Sequence, residues 1–422
     1  MTRTLLLKNT RIPAAFIRQP EGFGGEADGD CLRGDLIIQN AQVWRFAGSD
    51  EPVSADETCD LNGQLIMPRL TEVHAHLDKC HTIDRLGAVG GDLMQAIESM
   101  AADKHQWTAE DVYQRANQGL EELYQSGCQL VRTHVDWSED DTPPLAWDVI
   151  KQLAQQWQPL LTVQYAALTS LDLFNDITMA TRVAARIARD GGVLGTFVFA
   201  QDGMQEKLTT LLQLANRFKL NLDFHVDEGL AANLTGLEQI ADAAIASNYQ
   251  GHILCGHVCS LMNLNGRPLQ TVIDKVRRAG ITIAALPTTN LYLQGRTSGT
   301  PDRRGITRIR ELRAAGVPVT IGSDNVQDAF CPLGQHSPMN ALSLACLTAH
   351  LDPPFADWLR AITTDAQRAL GVAPTYTDGA PLQQLLISSA TSTAGLVAGG
   401  NVRCVLLTDY LNKFATTGIS HV

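Results

Sequence analysis

Eight apolar runs rich in β-branched residues constrain the fold of this chain more than any other feature: "QLIMPRLTEVHAHL", "CQLVRTHVD", "LTVQYAALTS", "GVLGTFVFA", "LNLDFHVDEG", "GHILCGHV", "ITIAALPTTN" and "VPVTIGSDN". After the second they recur about every 30 residues, the length of one strand-helix unit. Between them, stretches such as "QEKLTTLLQLANRFK" and "LQTVIDKVRRAG" carry apolar residues at three-four spacing and end in Lys, Arg or Gly, as helices do. Near-continuous apolar strands are buried on both faces, so eight of them, each followed by a helix, predict a closed parallel (β/α)8 barrel. An open doubly wound sheet is the competing arrangement, but no glycine-rich first turn marks a dinucleotide site. The barrel is expected over 65–375. Residues 1–64 and 376–422 contain short β-like pieces, "GDLIIQNAQVW" and "NVRCVLLTDY", which predict a small β-rich domain built from both termini, with "RQPEGFGGEADGDC" as a loop within it.

At 422 residues and 45% hydrophobic, the chain can bury a large core. A formal net charge of -12 argues against a nucleic-acid backbone or an anionic membrane as partner. No segment reaches the ~18 to 20 consecutive apolar residues of a membrane span, and the apolar run in "MTRTLLLKNTRIP" is too short for a signal peptide. Nine scattered cysteines read as reduced thiols rather than a disulfide framework, which makes the cytoplasm the expected compartment. A homo-oligomer is compatible with the sequence.

Active sites of such barrels gather at the C-terminal ends of the strands. That is where the polar residues of these runs fall: His74 and His76 on the first, His134 and Asp136 on the second, His225, Asp227 and Glu228 on the fifth, His257 on the sixth and Asp324 on the eighth. Singly, each could be an ordinary core or surface group; collected at one rim, they form a constellation. Residues two apart on a strand share a side, so the opening His74 and His76 would aim at one point. Three imidazoles and a carboxylate converging there are a ligand set for a divalent transition metal, with Zn, Fe and Mn all admissible. Glu228, three residues past His225, can reach the same cavity as a proton carrier.

"PRLTEVHAHLDK", "VRTHVD", "HVDEG", "GHVCSL", "NLYLQGR", "RRGITRIRELRAAG" and "GSDNVQDAFCPLG" together resemble the cytosine deaminase branch of the amidohydrolase superfamily, from about Pro68 to Gly334. The resemblance implies one metal ion per chain, zinc or iron first, bound by His74, His76, His225 and Asp324. It also implies Glu228 as proton shuttle, and His257, with Asp324, orienting the water. Binuclear relatives place a modified lysine at the end of the fourth strand, and "GTFVFAQDG" has none. Cytosine deaminases carry an amide-reading glutamine after the third strand, where this chain has Leu168. They usually follow the metal aspartate with a second aspartate, where this chain has Asn325, and precede it with a histidine, where it has Ser323. "SDN" is closer to the branch that hydrolyses N-alkylamino triazines.

The expectation is therefore a hydrolytic deaminase of an amino-substituted small nitrogen heterocycle, releasing ammonia. Removal of an N-alkylamine from a triazine-like ring is the alternative within the class, and a non-catalytic metabolite-binding barrel is the alternative outside it. Leu168, Gln294, Asn325 and Phe330 are the candidate substrate-binding residues: Gln294 as the best amide for ring recognition, ahead of Thr169 and Gln201, and Phe330 as a stacking ring. Lys79 is a candidate cation for an anionic substrate group, against a structural ion pair. Cys255 and Cys259 bracket His257, but buried thiols explain them better than a thiolate metal site.

Overall fold

The structure is a computed structural model that describes residues 4–417 except 49–50, 88, 138–139 and 401. Eight parallel strands follow one another in chain order around the sheet: Leu70–Ala75, Cys128–Asp136, Thr162–Ser170, Val193–Val198, Leu222–Val226, Ile253–His257, Ile281–Ala285 and Val319–Ile321. Helices lie between them, and the architecture is the expected (β/α)8 barrel. Its last and first strands are joined by a single parallel bridge, Ala75 to Asp324, in which the Asp324 N–H donates to the His74 carbonyl at 2.9 Å. The ring thus closes through two of the residues singled out for chemistry.

Inside the barrel the layers differ. An apolar layer of Val73, Leu130, Leu254, Ala284 and Leu286 is fully or almost fully buried. Beside it runs a polar thread, in which the buried Arg132 donates to Asp223 at 3.0 Å and Asp223 faces His134 at 3.1 Å. A charge buried this deeply is tolerated because it is paired and hydrogen-bonded.

A second sheet gathers both ends of the chain. Its main path runs Cys404–Leu406, Leu385–Ser388, Leu65–Pro68, Thr4–Pro13, Cys31–Gln39 and Glu26–Asp28, with Gln42–Ala47 and Glu57–Asp60 as branches. Its core holds Leu7, Ile12, Leu36, Ile66, Leu385 and Ile387.

Three local expectations are corrected. The run "QLIMPRLTEVHAHL" is two strands: Leu65–Pro68 pairs with Leu385–Ser388 in the small sheet, and Leu70–Ala75 opens the barrel. The chain changes partners at Arg69, whose N–H donates to Gln384, whereas that of Leu70 donates to Gly127. Both segments are wholly buried, so their composition carries no mark of the switch. The glycine-rich stretch expected as a loop contains the short helix Pro20–Phe23 and the strand Glu26–Asp28. Its Gly24, at φ 93°, sits so close to the Phe46 carbonyl that a Cβ would lie 1.9 Å from the oxygen; the glycine serves close packing rather than an open loop. In "NVRCVLLTDY" the strand ends at Leu406 and the helix Leu407–Thr417 begins, with Leu407 and Tyr410 buried three apart against the small sheet.

Candidate active site

The first barrel strand ends at Ala75, so His74 and His76 straddle its tip and turn inward together. His225 comes from the fifth strand, His257 ends the sixth, and Asp324 lies three residues past the end of the eighth. The backbone is unusual at this rim: Asp227, His257, Val258 and Asp324 all have φ between 48° and 68°, a region uncommon for residues other than glycine. Such turns re-aim side chains at the strand ends. The Asp227 carboxylate accepts from the N–H groups of Gly236 and Leu237 at 2.9 and 3.0 Å, so it anchors the start of the helix Gly236–Ala246 rather than facing the centre.

The Nε2 atoms of His74 and His76 lie 3.1 and 3.0 Å from Nε2 of His225, and Oδ1 of Asp324 lies 3.6 and 3.3 Å from the same two histidines. All four residues are buried. Burial is the main cause that lowers the His74 and His225 pKa values well below the ordinary 6.5 and brings His76 to about 4, so the rings present lone pairs rather than charge. The Nδ1 atoms of all three rings and both Asp324 oxygens lack hydrogen-bond partners. A single proton on the His225 Nε2 cannot serve two neighbours at once, and an ion about 2.1 Å from each donor atom sets those atoms about 3.4 Å apart. The donor set fits a divalent metal.

Glu228, buried, directs Oε2 to within 3.6 Å of the His257 Nε2, while Nδ1 of His257 lies 3.0 Å from the Asn290 Oδ1. His257 Nδ1 is also 4.0 Å from Oδ2 of Asp324. Burial pushes Glu228 up to about 7, against the pull of His257 and Lys79.

A cavity of about 230 Å³ opens above this cluster, lined by His76, His225, Glu228 and His257. Leu168, Asn325 and Phe330 line it as well. Gln294 does not: its amide donates to the Glu228 carbonyl at 3.4 Å, so it supports the loop that carries Glu228. Thr169 donates to the Gly195 carbonyl at 2.9 Å within the barrel wall, and neither it nor Gln201 lines the cavity. Lys79 does line it, but is paired with Asp136 at 2.8 Å and stands 5.1 Å from the centre of the Phe330 ring. Cys255 and Cys259 are buried, with thiols pushed well above 9 by burial, as inert packing groups.

His134, placed at the rim by its sequence position but given no role there, lies under the cluster, its ring centre 4.1 Å from that of His74. Sequence reasoning missed three features. Glu72 is fully buried and accepts from the N–H of His74 and from Ser323. The helix Leu93–Lys104 roofs the cavity with Leu93, Ile97 and Met100, a one-sided spacing legible as amphipathic. Trp137, Phe197 and Phe199 supply aromatic walls, and the signal was their position just at or past the ends of the second and fourth strands.

Residues 87–377 match the model of the amidohydrolase family. A pterin deaminase from Rhizobium rhizogenes (strain K84 / ATCC BAA-868) is 30% identical over 368 residues, covering 87% of this chain and 83% of that protein. Among solved structures, 5-methylcytosine deaminase from Klebsiella pneumoniae liganded with 5-fluorocytosine superposes with a TM-score of 0.79 at 24% identity, over 95% of this chain and 96% of that one. N-isopropylammelide isopropylaminohydrolase from Burkholderia multivorans gives 0.71 at 18% identity, over 96% and 97%. With the family's motifs in order along the barrel and this extent of likeness, the chain belongs to the amidohydrolase family.

Proposed function

We propose that this protein is a metal-dependent hydrolytic deaminase that attacks a ring carbon bearing an amino group on a small nitrogen heterocycle and releases ammonia. The reading rests above all on Glu228, a buried carboxylate that faces His257 and lines the cavity above the cluster of His74, His76, His225 and Asp324. A non-catalytic binding barrel has no need of a proton carrier at that point. His74, His76, His225 and Asp324 would hold one ion, zinc or iron first and manganese admissible, and the lack of a lysine at the end of the fourth strand supports a single one. When bound, such an ion acidifies a water to a pKa of about 7.

The chain's own groups then divide the remaining work. Near pH 7 Glu228 can both accept and return a proton, because burial holds its pKa at about 7. It takes one proton from the attacking water and delivers it to the ring nitrogen beside the attacked carbon. It next moves the second water proton to the amino group, which leaves as ammonia while the carbon becomes a carbonyl. His257, oriented through its contact with Asn290, offers Nε2 as an acceptor that fixes the water, and Asp324 offers a second.

The walls speak to the ring. Leu168 presents a hydrocarbon edge where cytosine needs an amide partner, and a buried polar group left unpaired costs about 1 to 3 kcal/mol. Phe197, Phe199, Trp137 and Phe330 suit a flat ring face. The 30% identical relative is a pterin deaminase, which makes a fused two-ring amino heterocycle of the pterin kind the leading substrate class. The Ser323-Asp324-Asn325 sequence keeps an N-alkylamino triazine as the second reading.

The test is ammonia or amine release by Zn-, Fe- and Mn-loaded protein over pterin, cytosine, isocytosine, creatinine, ammeline and an N-alkyl triazine. Turnover of pterin above cytosine is expected. Amine release from the triazine alone would move the assignment to the second reading, and no turnover of any ring with any metal would overturn both.

A further inference from the structure

We propose that His81, Glu122 and His336 form a second, structural binding site for a zinc-type divalent cation, separate from the catalytic cluster. The three residues come from distant parts of the chain. His81 lies in the turn after the first barrel strand, Glu122 on the helix Ala109–Gln125, and His336 in the loop after the eighth strand. Their donor atoms nevertheless gather on one carboxylate oxygen: Oε2 of Glu122 is 2.8 Å from Nδ1 of His336 and 3.2 Å from Nε2 of His81. Two imidazoles and a carboxylate are a common donor set for zinc and related ions, which complete their shell with water.

Hydrogen bonding accounts for only part of this cluster. His336 Nδ1 bonds Oε2 of Glu122 at 2.8 Å, and His81 Nδ1 lies 3.2 Å from Oε1 of Gln327. His81 Nε2, 3.2 Å from the same Glu122 oxygen, has no hydrogen-bond partner although the side chain is only 8% exposed, and neither has Nε2 of the buried His336. The other oxygen of Glu122 is held by the Gln118 amide at 3.0 Å, which leaves Oε2 to the two histidines.

The fold also makes room for the arrangement. His336 is fully buried and packs against the helix that carries Glu122, at Gly119, one turn earlier. A Cβ there would lie 2.8 Å from Cε1 of His336, so only glycine admits the ring. Burial lowers the His336 pKa against the pull of Glu122, which favours the neutral imidazole, and a metal would take the place of the Nδ1 hydrogen that bonds Glu122. The location gives the ion a purpose. The first and eighth strands share only the Ala75 to Asp324 bridge, and the turn containing His81 is tied to the loop after the eighth strand by N–H bonds from His81 to Val326 and from Ile83 to Gln327. A cation held by His81 and His336 would clamp the same seam from outside.

The experiment is zinc binding to chelator-stripped full-length protein, by equilibrium dialysis with metal analysis. Wild type is expected to take up one equivalent more than His336→Gln, and a His74→Ala/His225→Ala double variant to retain one equivalent. Equal uptake by wild type and His336→Gln overturns the proposal. Should His336→Gln fail to fold, cobalt is added to the double variant. A visible absorption band from nitrogen- and oxygen-bound Co(II), abolished by further change of Glu122→Gln, supports the site, and its absence in the double variant overturns it. Because the double variant lacks two catalytic ligands, these readouts do not depend on the deaminase reading.

Discussion

Glu228 and Leu168 show how two buried side chains on one cavity can be separated by experiment. Glu228→Gln keeps the shape and removes the proton carrier, so turnover should fall by about 10²-fold or more while metal content and melting temperature hold. Near wild-type turnover would take Glu228 out of the mechanism. Leu168→Gln instead supplies a hydrogen-bonding edge, and cytosine kcat/KM should rise by about tenfold or more relative to pterin. If the wild type already processes cytosine at about 10⁵ M⁻¹s⁻¹, the range of a true substrate, the apolar wall is not what selects the ring. At this scale the sequence was informative wherever a residue type is rare and its chemistry narrow: the histidines, Asp324 and Glu228 stand out because they interrupt apolar runs at their ends. Gln294 was misplaced for the opposite reason. An amide bonds equally well to substrate or backbone, and only the fold decides that it meets the Glu228 carbonyl.

At the scale of elements, periodicity exposed the strands and most helices but not their partners. Leu65–Pro68 and Leu70–Ala75 are wholly buried, so one apolar run conceals a change of sheet at Arg69. The helix Leu93–Lys104 has ordinary amphipathic spacing, yet nothing in the spacing says that its apolar side roofs a cavity rather than packing on the barrel wall. Contacts with Leu293, at the end of the helix Pro287–Leu293, and with Ala329, in the loop after the eighth strand, set its position. Its start is capped by Asp92, which accepts from the N–H groups of Met94 and Gln95 at 3.1 Å each. Asp92→Ala should cost about 1 kcal/mol of local helix stability. Because the roof lines the cavity and none of the residues proposed for the chemistry lies on it, KM for pterin should rise with kcat little changed; a fall in kcat alone, measured in steady state, would show that the helix serves the chemistry instead.

For the whole molecule, the critical place is the seam where the barrel closes. Seven strand pairs have parallel ladders, that of the first and second strands broken by register shifts, whereas the first and eighth strands have one bridge, and Glu72 supplies what that ladder lacks. Its carboxylate accepts from the His74 N–H at 2.9 Å, from the Ser323 N–H at 3.2 and 3.1 Å, and from the Ser323 hydroxyl at 2.7 Å. Ser323, which stands where cytosine deaminases have histidine, thus has a structural task here. Gly322 leaves the space, since a Cβ would lie 2.7 Å from Glu72 Oε1. Glu72→Ala leaves three buried donors unpaired, and at about 1 to 3 kcal/mol each the total loss should be about 3 kcal/mol or more. The same bonds fix the segments that carry His74 and Asp324, so the loss should appear twice, as a lower unfolding midpoint in denaturant and as weaker metal retention on dialysis. Glu72→Gln, which keeps one acceptor oxygen, should fall between wild type and Glu72→Ala in both measurements. An unchanged midpoint in Glu72→Ala would mean that the single bridge and the packing around it close the barrel without the carboxylate.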